Sequence, residues 1–354
     1  MIRLTWLQFR MHAVVALVGL LALAVVSVVT GPYLVHLYDA IVRPCAVHGD
    51  CSEARTTLLR HDTGLRTWLG ILVVVTPGII GVFWGAPLVS RELEAGTFRM
   101  AWTQTVTRTR WLVTRVVVVG LAGVAVTGLL SLAVSWWAGP LDRATLDQFA
   151  TFDQRDIVPL GHAAFAFTLG VAAGVLIRRT LPAMATTMVG FLAVRLSFNH
   201  WVRPHLIGPV LHQSALNARS TGFGSSGSLF GGSSSANLMP EPPNMPNAWI
   251  TSTRIVDRAG HDLTTQVLKA DCPHLGQGGG PGPSGGNRRG PAPQAVVQAL
   301  HDCVTKVGAT YHEAVTYQPA HRYWSLQWLE LAVYIGAAVL LAAFSTWWVR
   351  RRLG

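Results

Sequence analysis

Four cysteines, thirteen histidines, two lysines and one arginine set inside an apolar run are the residues whose chemistry could carry a function. Cys45, Cys51, Cys272 and Cys303 could bind a metal or form disulfides. Their spacings match no common zinc arrangement. An even number suits a disulfide framework in an oxidising compartment. Four cysteines allow three pairings. The local one, Cys45–Cys51 with Cys272–Cys303, needs no contact between distant segments. On the loop-entropy relation its two bonds would contribute about 2.4 and about 3.7 kcal/mol, less any strain. Among the histidines, His200, His205 and His212 are the densest group. A zinc site wants tighter helical or hairpin spacing with supporting partners, so no metal site is expected. Ser225-Ser226 lies in a Gly-rich run without the flanking strand and helix of a nucleophile elbow. The two lysines are Lys269, in QVLKAD, and Lys306, in CVTKVG. Neither has the Gly-x-x-x-x-Gly-Lys-Ser/Thr context that cradles phosphates. No catalytic residue and no nucleotide site are therefore expected in this chain.

The elements that would position these residues lie in a membrane. Of the 354 residues 50% are hydrophobic and only 13% charged, where a soluble domain carries about 25% charged residues. A membrane-spanning helix needs about 20 mostly apolar residues. Six segments qualify: Ala13–Val35, Trp68–Val89, Val116–Ala138, Ile157–Ile177, Leu181–Val202 and Leu331–Val349. The first is longer than a signal-peptide core and no small-residue cleavage site follows it, so it is read as an uncleaved helix. Pro77-Gly78 is expected to kink the second. The predicted fold is all-α, with six transmembrane helices and a long, partly disordered outer segment between helices 5 and 6. Three stretches follow: 1–202 with five helices, 203–325 outside, and 326–354 with the sixth helix and a basic tail.

The net charge of +11 would suit a nucleic-acid binder until it is sorted by side. Six spans put both termini on one side, where twelve arginines face only Glu92 and Glu94. The other side is neutral, with thirteen arginines and two lysines against fifteen acids. Basic residues at short loops mark the cytoplasmic side. Both termini are thus expected in the cytoplasm of a plasma (inner) membrane, in contact with lipid, and no nucleic-acid partner is expected. All four cysteines fall on the outer side.

Arg195 is the one formal charge well inside a span. Such residues face a bundle interior and find a partner. Glu330 matches it by depth, Asp156 less well, and snorkelling to the outer surface is the alternative. Gly81–Gly85 and Gly170–Gly174 have the spacing that lets helices approach closely, and packing within the chain is expected. In the outer segment, Ser220–Ser235 and Gly276–Gly290 are too rich in Gly, Ser and Pro to bury a core. Asn247–Leu268 is modestly patterned, and Pro293–Thr305 could form a short helix carrying Cys303. A small cap pinned by a disulfide is expected.

The connection between the second and third spans, residues 90–110, is the densest in signal. From Pro87 to Arg110 the sequence reads PLVSRELEAGTFRMAWTQTVTRTR. Glu92 and Glu94 come early, and Gly96-Thr97 breaks the helix. Phe98, Met100, Ala101 and Trp102 then form an apolar cluster with Arg99, suited to a partner protein.

This stretch resembles the signature connection of ABC-2 type permeases, and YQPAHRYW (Tyr317–Trp324) resembles actinobacterial members. There a Glu-x-x-x-Gly-Thr element sits between the second and third spans, and Glu92, Gly96 and Thr97 fill it. The six-span layout, cytoplasmic termini and YQPAHRYW before the last span agree, whereas the long Gly-rich outer segment departs from the pattern. The resemblance implies a transport subunit, an exporter, whose connection (Glu92, Glu94, Gly96, Thr97, Phe98, Arg99, Trp102) docks on a separate ABC ATP-binding subunit. ATP and Mg would be held by that partner. A second permease chain, identical or related, would complete the pathway. Two other classes stay open. An ion-coupled secondary transporter would need ionisable groups at the midplane, and a membrane-anchored sensor or assembly protein would need a ligand-binding outer segment.

Overall fold

The computed structural model describes residues 2–45, 51–61, 63–94, 108–216, 221–225, 236–240, 245–272 and 294–352. It divides into two units, Met1–Ile207 with His321–Gly354, and Gly208–Ala320.

The first unit is helical. Among the described residues six helices are long and apolar enough to cross a membrane: Ala13–Cys45, Thr63–Glu94, Arg110–Thr145, Val158–Ile177, Thr180–Leu206 and Ala320–Arg351. These are the first to sixth spans below. The first three and the last overrun their apolar cores at one end or both, the third continuing through Pro140. The fourth ends where Arg178 takes a left-handed conformation (φ 59°). Exposed Leu, Val and Ile side chains cover the spans, as contact with hydrocarbon requires. Trp68, Trp136, Trp201, Trp324 and Trp328 are also exposed. Trp137 is not: it is buried, and its indole N–H donates to Thr30 Oγ1 at 2.7 Å.

Two spans contain one π-helical turn each, Gly81–Gly85 in the second and Phe198–Val202 in the fifth. Pro77 lies within helix, four residues before the first of these turns. The fourth span is the most buried. Gly81 and Gly85 of the second span face Ala166, Phe167 and Gly170 of the fourth. A Cβ on Gly170 would sit 2.3 Å from the Gly81 carbonyl oxygen, and one on Gly174 would sit 2.5 Å from that of Ala86. The two Gly-x-x-x-Gly pairs thus pack against each other within one chain. Gly170→Ala is expected to cost about 1–3 kcal/mol through backbone displacement, read as a lower thermal midpoint in lipid nanodiscs. Gly190→Ala, where the nearest atom is a leucine side-chain carbon at 3.4 Å, is the mild control.

Cys45 and Cys51 are disulfide-bonded, linking the first span to the helix Ser52–His61.

The second unit has a sheet that the sequence reading does not anticipate. Strands β1 (Val210–Ala215), β4 (Trp249–Asp257) and β5 (Tyr311–Gln318) form an antiparallel sheet in the order β1-β5-β4. Val210 pairs with Tyr317 and Trp249 with Gln318. Short strands β2 (Thr221–Ser225) and β3 (Ala236–Pro240) pair separately, so part of the Gly/Ser-rich run is structured after all. The expected short helix is present as Gln294–Gly308. A disulfide joins its Cys303 to Cys272, at the end of the helix Thr265–Asp271. The rest of the Gly-rich runs, 226–235 and 276–290, lies outside the described residues.

Candidate functional site

Two polar constellations stand out in the membrane unit, one at each end. The first holds the stub of the connection after the second span. Glu92 forms an ion pair with Arg115 of the third span, and the Arg115 guanidinium lies over the Trp111 ring at 4.4 Å. Glu94 Oε2 accepts hydrogen bonds from the backbone N–H (3.0 Å) and the hydroxyl (2.7 Å) of Thr180, the first residue of the fifth span. A carboxylate at that position satisfies otherwise unpaired N–H groups and complements the helix dipole. Beneath them Val89, Trp111, Leu112, Val175 and Val349 form an apolar core. Both acids thus brace their own chain. Glu94 is exposed all the same, and Glu92 is half-buried. Gly96, Thr97, Phe98, Arg99 and Trp102 lie outside the described residues.

The second constellation is at the opposite end. Arg195, Arg203, Asp153, Glu330 and His162 meet there. Arg203 Nε donates to Glu330 Oε2 and Nη2 to Oε1, both at 2.8 Å. Arg203 Nη2 also pairs with Asp153 Oδ1. Arg195 Nη1 donates to the Val74 carbonyl at 2.9 Å, and Nη2 lies 3.7 Å from Asp153 Oδ2. His162 Nε2 lies 3.3 Å from Glu330 Oε1. His162 and Glu330 are fully buried. Asn199 donates to Asp153 Oδ2 at 2.8 Å. Burial by itself would push the Asp153 carboxyl up, but Arg203 and Arg195 beside it hold it below the usual carboxylate range.

The pairing corrects two sequence expectations. Arg195 does not pair with Glu330; it pairs with Asp153 and a backbone carbonyl. Glu330 is taken by Arg203, which the sequence places at the start of the outer segment. The π-helical turn is the cause. At about 100° per residue, a regular helix would set Arg203 roughly 80° away from Arg195. The turn Phe198–Val202 absorbs one residue, which leaves the two arginines about 20° apart on one face. The membrane unit therefore extends to Ile207 and resumes at His321, inside the sequence boundaries of 203 and 325.

Asp156, the weaker candidate partner, belongs to a neighbouring set. Its Oδ2 accepts from the Tyr323 hydroxyl at 2.7 Å. Gln327 Oε1 accepts from the Val158 N–H, and its Nε2 donates to the Phe152 carbonyl. Together the two sets bind the 3-10 helix Phe149–Gln154 to the fourth, fifth and sixth spans. Among the described residues, no group of three or more His, Cys, Asp or Glu is placed to hold a metal ion.

A family model described as ABC-2 membrane transporter related matches residues 17–203. No curated protein and no solved structure matches the chain.

Proposed function

The chain belongs to the ABC-2 membrane transporter related family, and from that premise we propose that it is the permease subunit of an ABC exporter, driven through residues 90–110 by a separate ATP-binding subunit. The end carrying the termini faces the cytoplasm, because the short basic loops gather there. ATP and Mg belong to the partner, and a second permease chain completes the pathway.

The observation that carries this reading is the bracing of the connection's stub. Glu92 ties it to the third span and Glu94 to the fifth, and the glycine contacts tie it to the fourth. A load applied to residues 95–107 would be delivered to three spans at once. Glu92 and Glu94 then transmit force, and the partner contact falls to Gly96, Thr97, Phe98, Arg99 and Trp102. The apolar walls of the spans suit a lipid-like or amphipathic cargo.

The test is co-purification with the cognate ATPase. Replacing Phe98 and Trp102 by alanine is expected to release the ATPase while the permease stays folded. Glu92→Gln is expected to retain binding and uncouple ATP hydrolysis from transport. Retention of both binding and coupling in the Phe98/Trp102 variant would remove the docking role. An ion-coupled secondary transporter would need ionisable groups at the midplane, whereas the buried charges gather at the far end. Transport that continues without any ATPase would favour that reading.

A further inference from the structure

We propose that His162 is a proton-binding site that competes with Arg203 for one oxygen of Glu330, so that proton uptake separates the outer ends of the fifth and sixth spans. Three observations carry this. First, Oε1 of Glu330 is faced from one side by Arg203 Nη2 at 2.8 Å and from the other by His162 Nε2 at 3.3 Å. Second, the formal charges of the cluster already balance: Arg195 and Arg203 against Asp153 and Glu330. Third, both ring nitrogens of His162 are buried without a hydrogen-bond partner, Nε2 standing off Glu330 at ion-pair distance and Nδ1 facing no acceptor or donor.

The groups facing the imidazole are Glu330 and Tyr334 from the sixth span, Arg195 and Arg203 from the fifth, and Asp153 from the 3-10 helix. With the spans closed, a fifth charge would be an uncompensated cation in a dry site. His162 is therefore neutral there, with its Nε2–H set toward Oε1 and its lone pair at Nδ1. A proton from bulk water adds at Nδ1, one N–H bond forms, and the ring becomes a cation against Glu330. The cluster then holds one positive charge too many. Neutrality returns when Arg203 leaves.

The packing decides which span moves. A Cβ on Gly161, next to His162, would lie 3.1 Å from Leu331 and 3.2 Å from Tyr334. The fourth and sixth spans are thus in close contact around His162 and Glu330 and keep that pair together. Arg203 sits beyond the π-helical turn in the last turn of its span, so it is the partner that can withdraw. Once it has, the imidazolium–carboxylate pair stands alone and balanced. Histidine is the side chain suited to such a switch near neutral pH.

The experiment is a distance measurement on the whole chain in lipid nanodiscs without any ATPase, so its outcome is separate from the docking proposal. Trp201 and Trp324 are exposed at the outer ends of the fifth and sixth spans. The four native cysteines are all disulfide-bonded. Trp201→Cys and Trp324→Cys can therefore carry the only nitroxide labels. Lowering the pH from about 7.5 to about 5.5 is expected to raise a longer-distance population, its ratio to the short one rising by up to about tenfold per pH unit for a one-proton step. His162→Gln is expected to keep the short distance throughout. If that variant does not fold, His162→Phe fills the same space and carries the same expectation. A wild-type distance that ignores pH, or a pH response that survives in the His162 variant, overturns the proposal.

Discussion

Glu330→Ala is expected to destabilise the membrane unit by about 3–5 kcal/mol, the range for breaking a buried ion pair from one side. Glu330 is fully buried and accepts both hydrogen bonds of the Arg203 fork. Its removal leaves Arg203 with Asp153 alone, and Asp153 is already shared with Arg195. Two guanidinium groups would then face one carboxylate in a site closed to water. Arg203→Met leaves the Glu330 carboxylate with His162 alone, so its loss is expected to grow as the pH rises and the imidazole gives up its proton. The double variant Arg203→Met/Glu330→Met is expected to recover most of the loss. It restores neutrality, leaves Arg195 with Asp153, and replaces two desolvated charges by side chains of similar volume. The measurement is the thermal midpoint of each single and of the double variant in lipid nanodiscs. Equal losses in all three would mean that the pair contributes only packing.

The same residues show how far the sequence could be read. The six spans were legible because apolar length is the whole requirement for crossing a bilayer. Glu330 was legible as an acid at the start of the last span. Its partner was not legible. A pairing by depth treats each span as a uniform rod, whereas pairing also depends on which face a residue occupies. One π-helical turn moves Arg203 by a residue's worth of rotation, and no composition rule signals that turn. His162 was visible as one histidine in an otherwise uncharged span. Its neighbours were not, since Asp153 lies in a connection and reaches the cluster only through the 3-10 helix Phe149–Gln154.

At the other end the motif was legible and the contacts that its acids make within the chain were not. The acids are read from sequence as an early part of a new helix, whereas they occupy the last turn of the second span's own helix, and Glu94 serves the start of the fifth span instead. The sequence cannot show that Thr180 and Arg115 lie within reach, because those contacts span 86 and 23 residues. In both places the sequence reported the residue types and the tertiary contacts assigned their work. The Gly-x-x-x-Gly pairs are the opposite case. Their spacing alone implies close approach, and the contact found is between the two pairs themselves.

Loss of the Cys272–Cys303 bond is expected to unfold the second unit while the membrane spans stay intact. Among the described residues the buried cluster around the bond is small: Ile255, Leu268, Cys272, Cys303, Val304 and Val307. The two cysteines are themselves part of what is buried there, so the bond joins the helices Thr265–Asp271 and Gln294–Gly308 at the centre of the cluster. The loop it closes has a sequence separation of 31, for which chain entropy gives about 3.7 kcal/mol. So small a core has little else to offset that loss. Cys45–Cys51 closes a separation of 6 and stabilises by only about 2.4 kcal/mol on the same relation. It also ends a span held by the larger core of Leu34, Leu58, Val134 and Trp137. Cys272→Ala/Cys303→Ala is therefore expected to make residues 208–320 sensitive to limited proteolysis in the folded full-length chain. Cys45→Ala/Cys51→Ala is expected to leave the cleavage pattern unchanged. Ala is the informative replacement, because Ser would add two buried hydroxyls to an apolar cluster and confound the loop term with desolvation. Equal protease resistance in both double variants would show that the sheet β1-β5-β4, whose strands pair without either cysteine, holds the unit by itself.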